Sequence, residues 1–165
     1  DTNALVSQAK KIGVNLRFLK SVIDTNNNQI FEALNLIKSF IRFKPGDEIL
    51  LLGIAFKPNT DDLRESPSLK IINEFIKLNL IVNVHDPMAI TNLLNDKSMK
   101  SKVKVTKNWK KTSKKVKLIF LATAWQEYKS LQEMNLADQV IFDGRNFLNY
   151  KKIRSKKYLS LTNVN

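Results

Sequence analysis

The apolar run Ile49-Leu50-Leu51-Leu52, closed by Gly53, constrains this chain more than any other stretch. Unbroken branched apolar residues over a strand's length predict a strand buried on both faces, the mark of a parallel sheet rather than a one-sided antiparallel one. A polar loop follows the glycine, and Lys57, Asp61, Asp62, Arg64 and Glu65 put five charges into nine positions. Ser66-Pro67 then starts a helix: serine caps free backbone N–H groups, and proline at the first helical position has no N–H to waste. In a parallel α/β sheet the loop leaving the carboxyl end of a strand is where ligands bind. A charged loop at that place predicts a site.

Around this unit the pattern alternates. Apolar residues at helical spacing predict a short helix over 3–12 and a long one over 15–41, the latter through Leu16, Leu19, Val22, Ile23, Ile30, Phe31, Leu34, Ile37 and Ile41. The insert Asp24-Thr25-Asn26-Asn27-Asn28-Gln29 weakens its middle, since Asn and Asp are poor helix formers, yet the period holds on both sides. Such a stripe packs either on its own domain or against a twin in a dimer. Lys44-Pro45-Gly46-Asp47 is a turn and the best boundary in the chain. After strand 49–54 come helix 67–79, strand 80–84, helix 88–95, a short strand at 103–105, a buried strand at 116–121, a weak helix at 128–134 and strands at 140–142 and 157–161. This order predicts a doubly wound parallel sheet. The suggestive clusters, 55–64, 85–87, 123–127 and 143–146, then share one edge and make one site. Lys57 and Arg145 are a pair suited to clamping an anion such as a phosphate. Trp125 reads as packing, and His85 as a strand-end residue hydrogen-bonded locally.

Composition removes whole classes of chemistry. The chain has no cysteine and one histidine, so disulfides, thiolate metal sites, a cysteine nucleophile and a His-rich metal centre are excluded within its 165 residues. With only Gly13, Gly46, Gly53 and Gly144 there is no G-x-G-x-x-G turn for a dinucleotide. No apolar window is long enough for a transmembrane helix. The net charge of +13 suits anionic partners, and Lys97–Lys117 carries eight further lysines between its ends. A nucleic-acid surface mixes arginines with aromatics, whereas only Trp109 interrupts this run. It reads as a solvated face, and nucleic acid is not the expected partner.

The segment Gly53-Ile54-Ala55-Phe56-Lys57-Pro58-Asn59-Thr60-Asp61-Asp62-Leu63-Arg64-Glu65-Ser66-Pro67 resembles the signature of the UDP-glucose/GDP-mannose dehydrogenase family. Asp86-Pro87 and Phe142-Asp143-Gly144-Arg145 fit the same family in the same order, and Asp1-Thr2-Asn3-Ala4-Leu5 resembles the end of its catalytic-cysteine motif and the residues just after it. The likeness covers essentially the whole chain. It implies an α/β fold: a helical central region that dimerises, over 1–44, and a Rossmann-like UDP-binding domain over 45–165. It also implies NAD-dependent oxidation of UDP-glucose to UDP-glucuronate in two hydride transfers through a cysteine thioester, which keeps the intermediate aldehyde bound. GDP-mannose and UDP-N-acetylhexosamines are the sibling substrates.

Carried over residue by residue, the resemblance makes Phe56, Lys57 and Arg145 substrate-binding, Arg64 a contact to NAD held by another domain, and Asp1 a catalytic residue that assists proton transfer to or from water. Since the cysteine and the NAD fingerprint are absent, the expectation is a C-terminal part that does not turn over alone. A cytoplasmic homodimer serving surface-polysaccharide synthesis completes what the family implies. Two other readings remain open at this point: a basic nucleic-acid-binding module, and a scaffold carried by the long helix.

Overall fold

A computed structural model describes residues 5, 8, 9, 11, 12 and 15–162. Asp1, the expected proton-transfer residue, lies outside the described residues. So does part of the helix expected over 3–12, of which Leu5, Gln8, Ala9 and Lys11 are helical.

The long helix α1 runs unbroken through its asparagines as Arg17–Phe40. Six parallel strands follow: β1 (Glu48–Leu52), β2 (Ile81–His85), β3 (Val103–Val105), β4 (Leu118–Leu121), β5 (Asn135–Asp143) and β6 (Arg154–Leu159). Helix α2 (Pro67–Lys77) joins β1 to β2, short helices α3 (Ile90–Asn95) and α4 (Lys97–Lys100) join β2 to β3, and α5 (Trp109–Ser113) joins β3 to β4. Segments of 3₁₀ geometry, at Gln126–Glu133 and Tyr150–Lys152, carry the chain to β5 and β6.

The sheet order is β3-β2-β1-β4-β5-β6, and every pairing is parallel. From β1 the chain steps outward to β3, returns to lay β4 against β1, and steps outward the other way. The order therefore reverses between β1 and β4, and a crevice opens at their carboxyl ends. Both central strands are buried from Ile49 to Leu52 and from Leu118 to Leu121, as the unbroken apolar runs require.

The second half of α1 closes the same core. Ile30, Ala33, Leu34, Ile37 and Ile41 are buried with the sheet residues, and Phe75 of α2 meets Phe43 and Phe120 edge-on at 6.3 and 6.1 Å. At about 1.5 Å per residue the 24-residue helix is roughly 36 Å long, and its buried residues lie in its second half. Phe18 and Phe31 on α1 stay 79% and 54% exposed. The apolar stripe is thus split between burial on its own sheet and an uncovered remainder.

Helices α4 and α5 were not expected, and three expected elements differ in extent or type. β5 is nine residues long rather than three, because Asn135 and Leu136 already pair with Arg154 and Ser155 of β6, before a register shift between Leu136 and Val140. β6 begins at Arg154, earlier than the apolar pattern suggests, with its first residues at the sheet margin. The helix expected at 128–134 is a 3₁₀ turn series at 126–133, in which Tyr128 and Leu131, three apart, are both buried.

Candidate functional site

The β1 exit is braced by hydrogen bonds from β2, β4 and the start of α2. Gly53 turns at φ +85°, a conformation that side chains resist, and a β-carbon there would stand 2.4 Å from that of Thr123. Its N–H donates to the His85 carbonyl at 2.8 Å. Helix α2 is tied back to the same turn: Ser66 caps the helix by accepting from the Ser68 N–H while its hydroxyl donates to Ile54 O at 2.7 Å, and Ser68 Oγ donates to Gly53 O at 3.2 Å. From the β4 exit, Thr123 Oγ1 donates to Ala55 O at 2.6 Å.

Two buried aspartates complete the bracing. Asp86, just after β2, receives five hydrogen bonds. Its Oδ2 accepts from the N–H groups of Ile54 and Ala55 and from the Trp125 indole, and its Oδ1 from the N–H groups of Met88 and Ala89. One carboxylate thereby joins the exits of β1, β2 and β4. Asp143 does the same for the β5 exit, accepting from the N–H groups of Arg145, Phe147 and Leu148 and from the Tyr158 hydroxyl at 2.8–3.0 Å. Burial beside this carboxylate pushes the Tyr158 phenol up, so it stays a proton donor.

On this frame lies a cleft of about 720 Å³ between the sheet edge, the start of α2 and the flank of α1. Phe56, Glu65, Lys70, Ala122 and Arg145 form one side, and Ile23, Asn26 and Gln29 of α1 form the other. Phe56, 48% exposed, is a large aromatic held in the open by the braced turn. The structure therefore brings Phe56 and Arg145 together but leaves Lys57 outside the cleft, exposed, where its charge helps hold Asp62 ionised.

Arg64 sits elsewhere. Its guanidinium grips Asp62 through two donors, Nε at 3.0 Å and Nη2 at 2.8 Å, and its backbone N–H donates to the same carboxylate. That grip holds the Asp62 carboxyl down at about 2. Both belong to a separate shallow hollow with Asn92 and Asp96. The single site expected from four strand exits is thus corrected: loops 55–57 and 143–146 reach the cleft, loop 60–64 lines the second hollow, and loops 85–87 and 123–127 brace from beneath. The physical cause is Asp86, which consumes the inward-facing donors of the middle loops.

His85 is also corrected in its partner. Its Nδ1 lies 2.9 Å from the hydroxyl of Tyr128, 43 residues along the chain, and 3.4 Å from Glu127 Oε1. The Tyr128 hydroxyl donates to the His85 carbonyl at 3.1 Å, and Trp109 packs edge-on against the tyrosine. Burial lowers the imidazole's affinity for a proton despite the opposing charges of Glu127 and Asp86. A lowered folded value means that the stability contributed by neutral His85 is fully present above the ordinary value of about 6.5 and is lost as pH falls through the folded one. Because the chain has one histidine, its ring proton resonance is unique. Its NMR titration is expected to have a midpoint below about 6.5, and a midpoint above that value contradicts the burial argument. Trp125 is packed as expected, with the added role of donor to Asp86.

Asp86 and Asp143 carry no assigned role in the sequence reading, although both stand at strand ends before Pro or Gly, where aspartate commonly binds the backbone ahead of it. Asn26 and Gln29 were hidden inside a helix-weakening insert. Among the described residues no cluster of three or more His, Asp or Glu is placed to hold a metal ion, and no helix is long and apolar enough to cross a membrane.

The β1 turn also decides where a dinucleotide does not sit. In a dinucleotide fold the amides after β1 face a pyrophosphate. Here the Ile54 and Ala55 amides are spent on Asp86, and no space remains beside Gly53. The residues of this turn do not fit NAD.

Residues 50–150 match the model of the UDP binding domain of the UDP-glucose/GDP-mannose dehydrogenase family. The chain is 34% identical over 152 residues to UDP-glucose 6-dehydrogenase YwqF of Bacillus subtilis, covering 88% of this chain and 34% of that protein. It is 29% identical over 163 residues to UDP-glucose 6-dehydrogenase TuaD of the same organism, covering 96% and 35%. Among solved structures, a UDP-glucose dehydrogenase from Pyrobaculum islandicum superposes with a TM-score of 0.80 at 29% identity, over 95% of this chain and 35% of that one. The chain thus spans about a third of the length of the relatives it matches.

Proposed function

Since the chain belongs to the UDP-glucose/GDP-mannose dehydrogenase family and carries its UDP binding domain, we propose that it is the nucleotide-sugar-binding part of an NAD-dependent UDP-glucose 6-dehydrogenase. The observation that carries this reading is the cleft at the strand-order reversal, where Phe56 from β1 and Arg145 from β5 face one space. Arg145 offers a planar fork of donors to a diphosphate, and its backbone is fixed by Asp143. Phe56 offers a flat apolar surface to the base or sugar. Lys57, next to Phe56 but outside the cleft, adds a point charge that draws the anion toward the edge.

The family-wide chemistry, two hydride transfers to NAD through a cysteine thioester, requires groups these residues do not supply. NAD is held by another domain in this reading, and Arg64 reaches it after letting go of Asp62. The division of the chain at 44/45 follows the same reading, with the uncovered Phe18 and Phe31 of α1 as the surface of a homodimer. Asp1 assists the proton transfer, and the assembled enzyme acts in the cytoplasm.

Calorimetric titration of the chain with UDP-glucose, UDP and GDP-mannose tests the proposal. UDP and UDP-glucose bind, and Arg145→Ala weakens both at least tenfold, since a charged hydrogen-bonding partner contributes roughly 1.5–3 kcal/mol. Lys57→Ala weakens both less, through the association rate and with a marked salt dependence. No NADH forms from UDP-glucose and NAD with these 165 residues alone. Binding that ignores nucleotides but collapses with salt favours instead a nucleic-acid surface on the lysine run.

A further inference from the structure

Parallel pairing puts every strand's amino end on one edge of the sheet and every carboxyl end on the other. The cleft takes the carboxyl edge. The amino edge carries a different chemistry. Lys44 leads into β1, Lys100 and Lys102 into β3, and Lys114, Lys115 and Lys117 into β4, and all six are exposed. In the order β3-β2-β1-β4 the outer two of these strands lie three strand spacings, about 14 Å, apart. A run that reads along the chain as a solvated face is thus gathered by the fold onto one stretch of surface.

The neighbouring carboxylates do not cancel this charge. Asp47 accepts from Lys117 at 2.7 Å, and Glu48 lies 4.0 Å from Lys104 and accepts from the Asn83 amide. Asp96 accepts from the Ser98 N–H in the field of Lys102. Asp138 adjoins Gln139, whose amide donates to Lys114 O. Among the described residues, Lys100, Lys102, Lys114 and Lys115 form no ion pair.

Residue type then selects the partner. Residues 97–117 hold ten lysines, no arginine and no acid. Without a guanidinium there is no planar fork for a base edge, and the one aromatic, Trp109, is buried and cannot stack on a base. A protein partner would need apolar or arginine anchors, and the one exposed large apolar residue of this run, Val105, lies at the carboxyl end of β3. Exposed ammonium groups alone suit a planar array of anionic headgroups, which asks for charge and not for fit. We propose that the amino edge of the sheet docks on an anionic lipid bilayer, with the cleft on the opposite edge left facing water. Such docking is peripheral and needs no spanning helix. It does not depend on what the cleft binds.

Co-sedimentation with vesicles of phosphatidylcholine alone, or of equal parts phosphatidylcholine and phosphatidylglycerol, is the test. The chain is expected to bind only the anionic vesicles, and to be released as salt shortens the range of its field. The triple variant Lys102→Gln, Lys114→Gln, Lys115→Gln loses affinity on the order of a hundredfold, at about fivefold per lysine. A control triple, Lys20→Gln, Lys129→Gln, Lys156→Gln, removes the same charge from α1, the 126–133 segment and β6, and loses less than about tenfold. Both triples are expected to melt with the parent, since all six positions are exposed. The proposal is overturned if the chain ignores anionic vesicles at low salt, binds neutral ones equally well, or loses as much affinity in the control triple. Tighter binding to duplex DNA than to anionic vesicles overturns it in favour of a nucleic-acid surface.

Discussion

Gly53→Ala is expected to cost the chain about 3 kcal/mol of stability, from roughly 1–2 for the left-handed backbone and 1–3 for overpacking. The atoms that a methyl group would strike are Thr123 Cβ at 2.4 Å, its N at 2.7 Å and its Cα at 2.9 Å. None is the free end of a flexible side chain, so relief requires the β1 and β4 exits to part. Those exits are also tied by the Thr123 hydroxyl to Ala55 O, and the turn by the Gly53 N–H to His85 O, so separating them strains both bonds. Urea denaturation reads the loss as a lower midpoint at unchanged slope. A loss below about 1 kcal/mol would mean that the turn relaxes easily and does not hold Phe56 in place.

Asp86→Asn is the second large effect. The substitution keeps the shape but replaces an acceptor oxygen with an NH₂ group. Whichever way the amide turns, it faces at least two N–H donors: Met88 and Ala89 on one side, or Ile54, Ala55 and the Trp125 indole on the other. Asp86 is 4% exposed, so water does not replace the lost bonds. Removing the acceptor from two donors costs roughly 3 kcal/mol by the ordinary penalty for buried unpaired groups. The expected readout is a drop of that size in denaturant unfolding. A variant within about 1 kcal/mol of the parent would contradict the view that this carboxylate joins three strand exits.

What was legible in the sequence was whatever periodicity and capping encode. The buried β1, Gly53, the Ser66-Pro67 start of α2 and the helix through Asn26 follow from local rules, and the placement of the charged loops on one sheet edge follows from parallel topology. The first half of β5 was not legible, because an edge pairing made by Asn135 and Leu136 leaves no apolar alternation to read. Nor was the partner of His85, since nothing local reports a tyrosine 43 residues away. The resemblance pointed to Arg64 as an arm toward a cofactor. Asp62, two residues earlier, holds that arm in place, a pairing that the sequence reading did not assign. The sharing of loops between a cleft and a brace depends on where two aspartates send their oxygens, and that is a property of the folded molecule alone.

Amide NMR of the chain during addition of UDP-glucose tests the central claim most directly. The largest shifts are expected at 54–57, 65–71 and 144–147 and on the cleft side of α1 near Asn26, Gln29 and Ala33. Shifts confined to the lysine-rich segment between Lys97 and Lys117, or to the hollow of Asp62, Asn92 and Asp96, would contradict a nucleotide-sugar site in the cleft.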